Sequence, residues 1–375
     1  MSPAALRRHF PLLGRRQYFA SHSLGPVPEG ARAHLARWHE SVFTGRAAFG
    51  SWIEQLVDTT ARLEALLGAP PGSVALLPGA TTAQAAIAAA TVPRRGRDRI
   101  LTSAVDFHSS RYLWQAQAAR GFAVDTVEEA PDGGVTLEAV AAMLRDDTAI
   151  VAVAHVSSFT GAMIPLTGLS RLARDAGAIT VVDACQSVGI VPIDVVADDV
   201  DVLVGCTHKW LGGGDFGLAF AYVRPSLAAA LRPAFPGWMG HRDPQCVAPT
   251  FEPAPGAARL AQSPVALAPV FAARAGLELV SEVGVASLRA ASLRCTARLH
   301  THAEANGLRV RTPRDDDRRG GHVCIEHPQA ERIVTRLGHA GIDVDARAGF
   351  GIRVAPHPTH TVAECEAVVD AIARG

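Results

Sequence analysis

A lysine in the stretch VGCTHKWLGGGDFG, residues 204–217, carries chemistry that no other side chain of this sequence can supply. Of the 36 lysine and arginine residues, Lys209 is the only lysine. Arginine replaces lysine wherever a positive charge is sufficient, but a guanidinium does not act as a nucleophilic amine. Lysine amines form Schiff bases with carbonyl compounds. The alternative is that codon bias removed the other lysines and left one by chance, so the neighbouring residues must distinguish the two interpretations.

An aspartate in the stretch VVDACQS, residues 181–187, follows a segment typical of a buried strand. Burial of a carboxylate is costly unless a cation pairs with it. A protonated pyridine nitrogen is such a cation, and a carboxylate beside it would strengthen pyridoxal phosphate as an electron sink. Asp183 could instead cap a helix, as aspartate often does. The lysine that follows the next predicted strand favours the cofactor interpretation.

Phosphate groups bind at helix N-termini, where backbone N–H groups are free. The stretch LLPGATTAQAAIAAAT supplies a turn at Gly79, hydroxyls at Thr81 and Thr82, and then an alanine-rich helix. The same pattern also fits a helix capped by threonine without any ligand. His208 could add a phosphate contact, and Phe107 in DFHSSRY could either stack on a planar ring or lie in the core. Together these residues predict a pyridoxal phosphate site.

Short apolar segments alternate with helical patterns between residues 74 and 225 and predict the scaffold for these side chains. Brief, almost continuously apolar segments rich in β-branched residues are typical of strands covered on both faces. Their alternation with helices predicts a doubly wound α/β domain with a mainly parallel sheet. The predicted strands are residues 99–104, 149–156, 178–184, 201–206 and 217–223, and the clearest helices are 81–92 and 166–177.

Three of the polar residues lie where predicted strands end. Ligands of doubly wound sheets bind at the carboxyl ends of the strands. Lys209, Asp183 and His155 each stand at or just after such an end. We therefore expect these three side chains to converge on one edge of the sheet.

The C-terminal third predicts a second, smaller α/β domain. A proline-rich passage at 233–256 has no periodicity and predicts a long, structured loop, and such loops tend to be functional. After it we expect a helical segment near 266–303, a strand at 320–327, a helix at 328–340 and a strand in 351–358. The predicted organisation is an N-terminal segment, 1–44, that packs with the small domain, a large cofactor-binding domain, 45–260, and a small C-terminal domain, 261–375.

Composition excludes several classes of partner. The formal net charge is zero, which removes the usual electrostatic reason to expect nucleic acid or a membrane surface. The six cysteines have no spacing typical of a zinc site or a disulfide scaffold, so we expect no metal and a reducing cytoplasm. No apolar run is long enough to cross a membrane, and the first residues lack the apolar core of a signal peptide.

A family resemblance runs almost from end to end of the chain. The motifs that carry it are YFASHSLG, DFHSSRY, FTGAMIPL, DACQSVG, VGCTHKWLGGG, GWMGHRDP, APGAARLAQSPVAL, RRGGHVCIEHP and GIRVAPHP. The sequence resembles fold-type I pyridoxal phosphate enzymes of the class V aminotransferase superfamily, and within it kynureninases in particular. The resemblance implies a homodimer with a shared active site and a small amino-acid substrate.

The resemblance also implies roles for individual residues. Lys209 would be the Schiff-base lysine, Asp183 would pair with the pyridine nitrogen, and Phe107 would stack on the ring. Thr82 and Trp238 would hold the phosphate, Trp238 across a subunit boundary. Arg353 would bind the substrate α-carboxylate, a task suited to a bidentate guanidinium, although a surface ion pair is the alternative. The predicted site also includes Thr81, Gln186 and His208 on the cofactor side and Ser23 and Gln262 on the substrate side.

Several positions depart from the kynureninase pattern. Kynureninases usually have tyrosine where this chain has His208 and histidine where it has Gln186. They usually have an Asp-x-Asn-Ser-Leu-Gly segment where this chain has ASHSLG, and Gln262 replaces an asparagine that helps to recognise the substrate. His-Lys and Asp-x-x-Gln are instead typical of cysteine desulfurases and related class V enzymes. Cofactor binding is expected to survive these changes, whereas the reaction and the substrate depend on them.

Three functional hypotheses remain. The first is a kynureninase-type hydrolase that cleaves the Cβ–Cγ bond of a kynurenine-like γ-keto amino acid to alanine and an aromatic acid. In it, His208 would take the proton-transfer role, since an imidazole exchanges protons near neutral pH. The second is a related enzyme that acts on another amino acid as an aminotransferase, β-lyase or epimerase; the loop DVDARAGFG lacks the cysteine that a desulfurase needs. The third is a cofactor-binding protein without catalysis, which would not require the amine of Lys209.

Overall fold

The computed structural model describes residues 1, 3–93 and 96–374. Within this part of the chain, the helices, numbered α1 to α12, are Pro3–Arg7, Gly30–Phe43, Phe49–Leu67, Ala80–Ala90, His108–Gln115, Leu137–Met143, Leu166–Asp175, Pro225–Ala230, Leu267–Val283, Val285–Ala305, Ala330–His339 and Val362–Ala373. The strands, β1 to β12, are Gln17–Tyr18, Val74–Leu77, Arg99–Ser103, Ala123–Val127, Thr148–Ala154, Ile179–Asp183, Val202–Cys206, Ala219–Val223, Val323–Ile325, Ile342–Asp343, Asp345–Arg347 and Gly351–Val354.

The largest sheet confirms the predicted doubly wound architecture. Its strand order over the described residues is β2-β8-β7-β6-β5-β3-β4. Neighbouring strands run parallel from β7 to β4, while β8 is antiparallel to both β7 and β2. The inner strands β7 and β8 are buried along their whole length, which explains their almost continuous hydrophobicity. Apolar clusters cover both faces of the sheet.

All five predicted strands of this sheet are present, with ends that differ by up to two residues from those predicted. The edge strand β4 was not predicted, because its residues Ala123–Val127 are largely half-buried and include an aspartate and a threonine. The predicted helical segment near 266–303 is two helices, α9 and α10. Gly284 separates them with φ of 79°, a backbone conformation that favours glycine and interrupts the helix.

The small sheet has the order β11-β12-β9 and is antiparallel throughout. Its core is formed with α10, α11 and α12. The N-terminal segment joins this region: β1 pairs in parallel with β10, and Phe19 is fully buried in the same cluster, stacked on His360 at 4.4 Å. These contacts support an N-terminal segment that packs on the C-terminal region, and the boundaries 1–44, 45–260 and 261–375 stand as our proposal.

Candidate active site

One cavity, of about 460 Å³, lies where the carboxyl ends of the large-sheet strands face the small sheet. This volume is typical of sites for small molecules and cofactors. The doubly wound topology brings three polar residues together at this cavity. Asp183 ends β6, Lys209 follows β7, and Ser110 lies on α5, the helix after β3. Of the predicted residues, the cavity is lined by Ser23, Thr81, Phe107, Asp183, Gln186, His208, Lys209 and Arg353.

Four predicted residues do not line the cavity of this single chain. The expected convergence of His155 is wrong: Ala154 and Val156 line the cavity, and His155 points to the opposite side of its strand, towards Arg289. The side chain of Thr82 is exposed beside the helix start. Trp238 and Gln262 are also exposed and lie outside the cavity, in neighbouring loops.

Asp183 is held as a hydrogen-bond acceptor at the cavity wall. Its Oδ2 accepts hydrogen bonds from Gln84 Nε2 at 3.1 Å and Ser110 Oγ at 3.3 Å, and its Oδ1 accepts one from the backbone N–H of Cys185 at 2.9 Å. The indole of Trp114 donates to Gln84 Oε1 at 3.0 Å and so turns the amide nitrogen of Gln84 towards the carboxylate. Three donors fix a carboxylate whose charge faces the cavity.

The helix α4 begins at the cavity. Its first residues, Ala80 and Thr81, line the cavity together with Pro78 and Gly79. Gly79 precedes the helix, and no side chain in the described part of the chain caps it, so the first backbone N–H groups can bind an anion. The arrangement therefore fits a phosphate group at this end of the cavity.

The backbone around Lys209 is fixed by close contact with the N-terminal segment. The N–H of Gly25 donates to the carbonyl of His208 at 2.8 Å. A Cβ atom on Gly25 would lie 1.8 Å from the carbonyl oxygen of Lys209, so only glycine fits there. The ring of His208 packs against Phe216, with 4.7 Å between centroids. Lys209 therefore projects into the cavity from a rigid support.

Arg353 lies at the small-domain side of the cavity and is almost fully buried. Its Nε donates to Asp345 Oδ1 at 2.7 Å, and its Nη2 donates to Asp345 Oδ2. Its Nη1 donates to the carbonyl of Ser158 at 2.5 Å. Asp345 also accepts from Ser23 Oγ at 2.7 Å and from His22 Nε2 at 2.9 Å. The alternative of a surface ion pair is therefore wrong, since Arg353 and Asp345 belong to a largely buried network that opens onto the cavity.

Electrostatics in this network favour a charged Asp345 beside a neutral His22. Burial raises the pKa of Asp345, but hydrogen bonds from His22 and Arg353 outweigh it and hold the pKa well below its usual range. Burial, together with the charge of Arg353, lowers the pKa of His22 to about 4. His22 is therefore neutral near pH 7 and donates through Nε2, which leaves its buried Nδ1 without a partner in the described structure.

Gln186 connects this network to the cofactor side. Its Nε2 donates to the carbonyl of His22 at 2.9 Å. Its buried Oε1 has no partner within the described residues. Gln186 itself lines the cavity that also contains the amine of Lys209.

Comparison with known proteins identifies the family. The class-V aminotransferase family matches residues 26–371. The chain belongs to the class-V aminotransferase family. It is 29% identical to kynureninase of Pseudomonas fluorescens over 380 residues, which cover 96% of this chain and 89% of that protein. It is 28% identical to kynureninase of Burkholderia pseudomallei, with 96% and 88% covered.

Solved structures confirm the fold. A cysteine desulfurase of Thermococcus onnurineus superposes with a TM-score of 0.88 at 19% identity, covering 100% of this chain and 98% of that one. A variant of C-DES with glycine covalently linked to its pyridoxal phosphate cofactor superposes with a TM-score of 0.88 at 20% identity, covering 98% of both chains. The predicted fold-type I architecture and pyridoxal phosphate dependence are confirmed, and the protein is a kynureninase-like class V enzyme. No helix among the described residues is long and apolar enough to cross a membrane.

Sequence reasoning missed several residues of the site. Gln84, Ser110 and Trp114 orient Asp183, and Asp345 and His22 surround Arg353. A signal existed for His22, because it stands in the ASHSLG segment that departs from the kynureninase pattern. No spacing signal pointed to the other four residues, since their partners are distant along the chain.

Proposed function

We propose that this protein is a hydrolase of kynureninase type, which cleaves the Cβ–Cγ bond of a kynurenine-like γ-keto amino acid to alanine and an aromatic acid. The observation that carries the proposal is the cavity itself, in which the only lysine, a carboxylate held by three donors and a buried arginine meet. Similarity to kynureninases, which match 96% of this chain, supports this reaction class.

The residues of the cavity fit pyridoxal phosphate. The free N–H groups at the start of α4, with Thr81, would hold the phosphate. Asp183 would face the pyridine nitrogen, and Phe107, which is half-buried before α5, would stack on the ring. Gln186, which lines the cavity and whose Oε1 has no partner among the described residues, would add a polar contact to the cofactor. When bound, the cofactor supplies an electron sink for a carbanion at the substrate Cα.

The remaining residues would bind the substrate and move protons. Arg353 would bind the α-carboxylate through the N–H that the network leaves free. Lys209 Nζ, a base once it is released from the cofactor, would remove the proton from Cα. His208, next in the chain, would exchange a second proton through its imidazole during cleavage. The close packing of Gly25 against Lys209 keeps both residues in place.

The shared active site of a homodimer is part of the proposal. Trp238, which is 46% exposed, and Gln262 lie on the surface of this chain. A Cβ atom on Gly237 would lie 1.9 Å from the backbone oxygen of Gln262, so the loops that carry these two residues are in tight contact. We infer that they reach the cavity of a second copy together. A cytoplasmic location is likewise proposed.

The test is incubation of the purified enzyme with L-kynurenine and with 3-hydroxykynurenine, followed by analysis of the products. Formation of alanine together with anthranilate or 3-hydroxyanthranilate is expected. A Lys209→Ala variant, which lacks the amine, is the control and should form neither. If neither substrate is cleaved while another amino acid is turned over by transamination, elimination or epimerisation, the hydrolase proposal fails and the protein is a class V enzyme of different specificity.

A further inference from the structure

The donors of Arg353 are almost fully used by the protein itself. A guanidinium has five N–H donors. Arg353 donates two hydrogen bonds to Asp345, one to the carbonyl of Ser158 and one to Ser23 Oγ, the last at 3.4 Å. One hydrogen of Nη1 is left. A carboxylate that requires two parallel N–H donors cannot obtain both from Arg353 while this network is intact.

A second guanidinium at the same cavity has most of its donors available. Arg347 lines the cavity, is exposed, and makes one weak hydrogen bond from Nη1 to the carbonyl of Ala346 at 3.4 Å. No carboxylate in the described part of the chain forms an ion pair with it. Of the two arginines at this side of the cavity, Arg347 therefore has the larger number of available donors.

Strand register places the two arginines side by side. Asp345 and Arg347 lie on the same face of β11, because side chains alternate along a strand. Asp345 pairs with Arg353 across the strands, and Arg347 pairs with Gly351. Arg347 and Arg353 are therefore diagonal neighbours on the two strands, and no side chain stands opposite Arg347, because Gly351 has none. Burial lowers the pKa of Arg353, Asp345 opposes this effect, and the charge of Arg347 lowers the pKa further, as expected of two neighbouring cations.

The local charge is suited to one anion. Asp345 neutralises Arg353, whereas Arg347 forms no ion pair with any of the described residues. An anion between the two guanidinium groups would relieve their mutual repulsion and accept hydrogen bonds from both. A group with two equivalent oxygens, such as a carboxylate, can bridge them.

We propose that Arg347 is a second recognition residue for the substrate α-carboxylate, which lies between the remaining Nη1–H of Arg353 and the guanidinium of Arg347. This inference deepens the proposed function and requires only that the substrate is an α-amino acid. It does not depend on which bond is cleaved.

The test is titration of the cofactor-loaded enzyme with L-alanine, or with another α-amino acid from a panel. Binding is monitored by the change in absorbance of the cofactor. The amine that lacks the carboxylate, ethylamine in the case of alanine, is titrated in parallel. Arg347→Gln should raise the dissociation constant of the amino acid about 10-fold or more, because a charge-assisted pair is lost. The dissociation constant of the amine should not change.

Two further variants separate recognition from folding. Arg347→Lys retains the charge but not the planar fork, so it should bind the amino acid with intermediate strength. Arg332→Gln is the matched control, since Arg332 is an exposed arginine of the small domain that does not line the cavity. Equal cofactor content per chain shows that each variant is folded.

Two results would overturn the inference. One is an Arg347→Gln variant whose dissociation constant for the amino acid lies within about twofold of the parent value. A variant whose affinity for the amine falls as much as its affinity for the amino acid would have the same meaning. The other is a parent enzyme that binds no α-amino acid. Failure to cleave kynurenine, with amino-acid binding that depends on Arg347, would instead refute only the proposed hydrolase reaction.

Discussion

Acidification from pH 7 to pH 5 is expected to destabilise the protein, because several buried histidines must stay neutral in the folded state. Burial lowers the pKa of His22 and His360 to about 4 and that of His155 to about 3. Burial also holds the pKa of His322 and His357 well below the usual range. The unfolded chain therefore binds more protons than the folded chain between about pH 4 and pH 6.5, and stability falls as the pH falls through this window.

The size of the effect follows from these shifts. On acidification from pH 7 to pH 5, a buried histidine with a folded-state pKa of about 3 or 4 lowers the free energy of unfolding by about 2 kcal/mol. The three histidines with such values together cost about 5 to 6 kcal/mol. Asp106 acts in the opposite direction: burial raises its pKa to about 7, so its protonation restores about 2 kcal/mol. A net loss of about 3 kcal/mol or more is expected, from a total stability of about 5 to 15 kcal/mol.

Urea unfolding of the cofactor-free protein at pH 7 and pH 5, followed by far-ultraviolet circular dichroism at one protein concentration, measures this loss. His360→Gln cannot titrate, so it should reduce the difference between the two pH values by about 2 kcal/mol, whatever its effect at pH 7. His339→Gln is the control, because His339 is exposed at the end of α11. A parent protein whose stability at pH 5 lies within about 1 kcal/mol of that at pH 7 would refute the reasoning.

Four further outcomes are expected at the site. Lys209→Ala should bind pyridoxal phosphate only weakly, and borohydride should attach no cofactor to the variant, as mass spectrometry of the protein would show. His208→Phe should lower turnover by about 10² to 10⁴ while cofactor content stays at the parent level; an unchanged rate would remove its proposed role. Gly25→Ala should displace Lys209 and lower both cofactor content and thermal midpoint, whereas Gly14→Ala, with nothing within 4 Å of its added Cβ, should not. Sedimentation should show a dimer, and Trp238→Ala should weaken cofactor affinity; a fully active monomer in dilute solution would contradict a shared site.

The parts of the protein that sequence could predict are those whose signals are local. Continuous apolar segments predicted the five main strands of the large sheet, because a strand buried on both faces requires apolar residues at successive positions. The single lysine predicted a Schiff base with pyridoxal phosphate, since no other side chain replaces its nucleophilic amine. The carboxyl-end rule then placed Asp183 and Lys209 at one edge of the sheet, where the cavity lies.

The carboxyl-end rule failed for His155. It predicts which end of a strand lies at the site, but it does not predict to which face of the sheet a given side chain points. Successive side chains alternate across a strand, so a shift of one residue turns a side chain away from the cavity. Ala154 and Val156 face the cavity, and His155 therefore faces the opposite core. The hydrogen bonds that orient Asp183 and Arg353 were also beyond prediction, since Gln84 to Asp183 and Ser23 to Asp345 join residues that are far apart in sequence.

Two of the departures from the kynureninase pattern are in direct contact, which changes how they are interpreted. Kynureninases usually have histidine at the position of Gln186 and asparagine at the position of His22. In this chain, the amide of Gln186 donates to the carbonyl of His22. The pair thus still contains one imidazole and one amide, in exchanged positions. The exchange has a further consequence, because His22 donates to Asp345, which holds Arg353. A change on the cofactor side of the cavity is therefore connected, through three hydrogen bonds, to Arg353, which is proposed to recognise the substrate carboxylate.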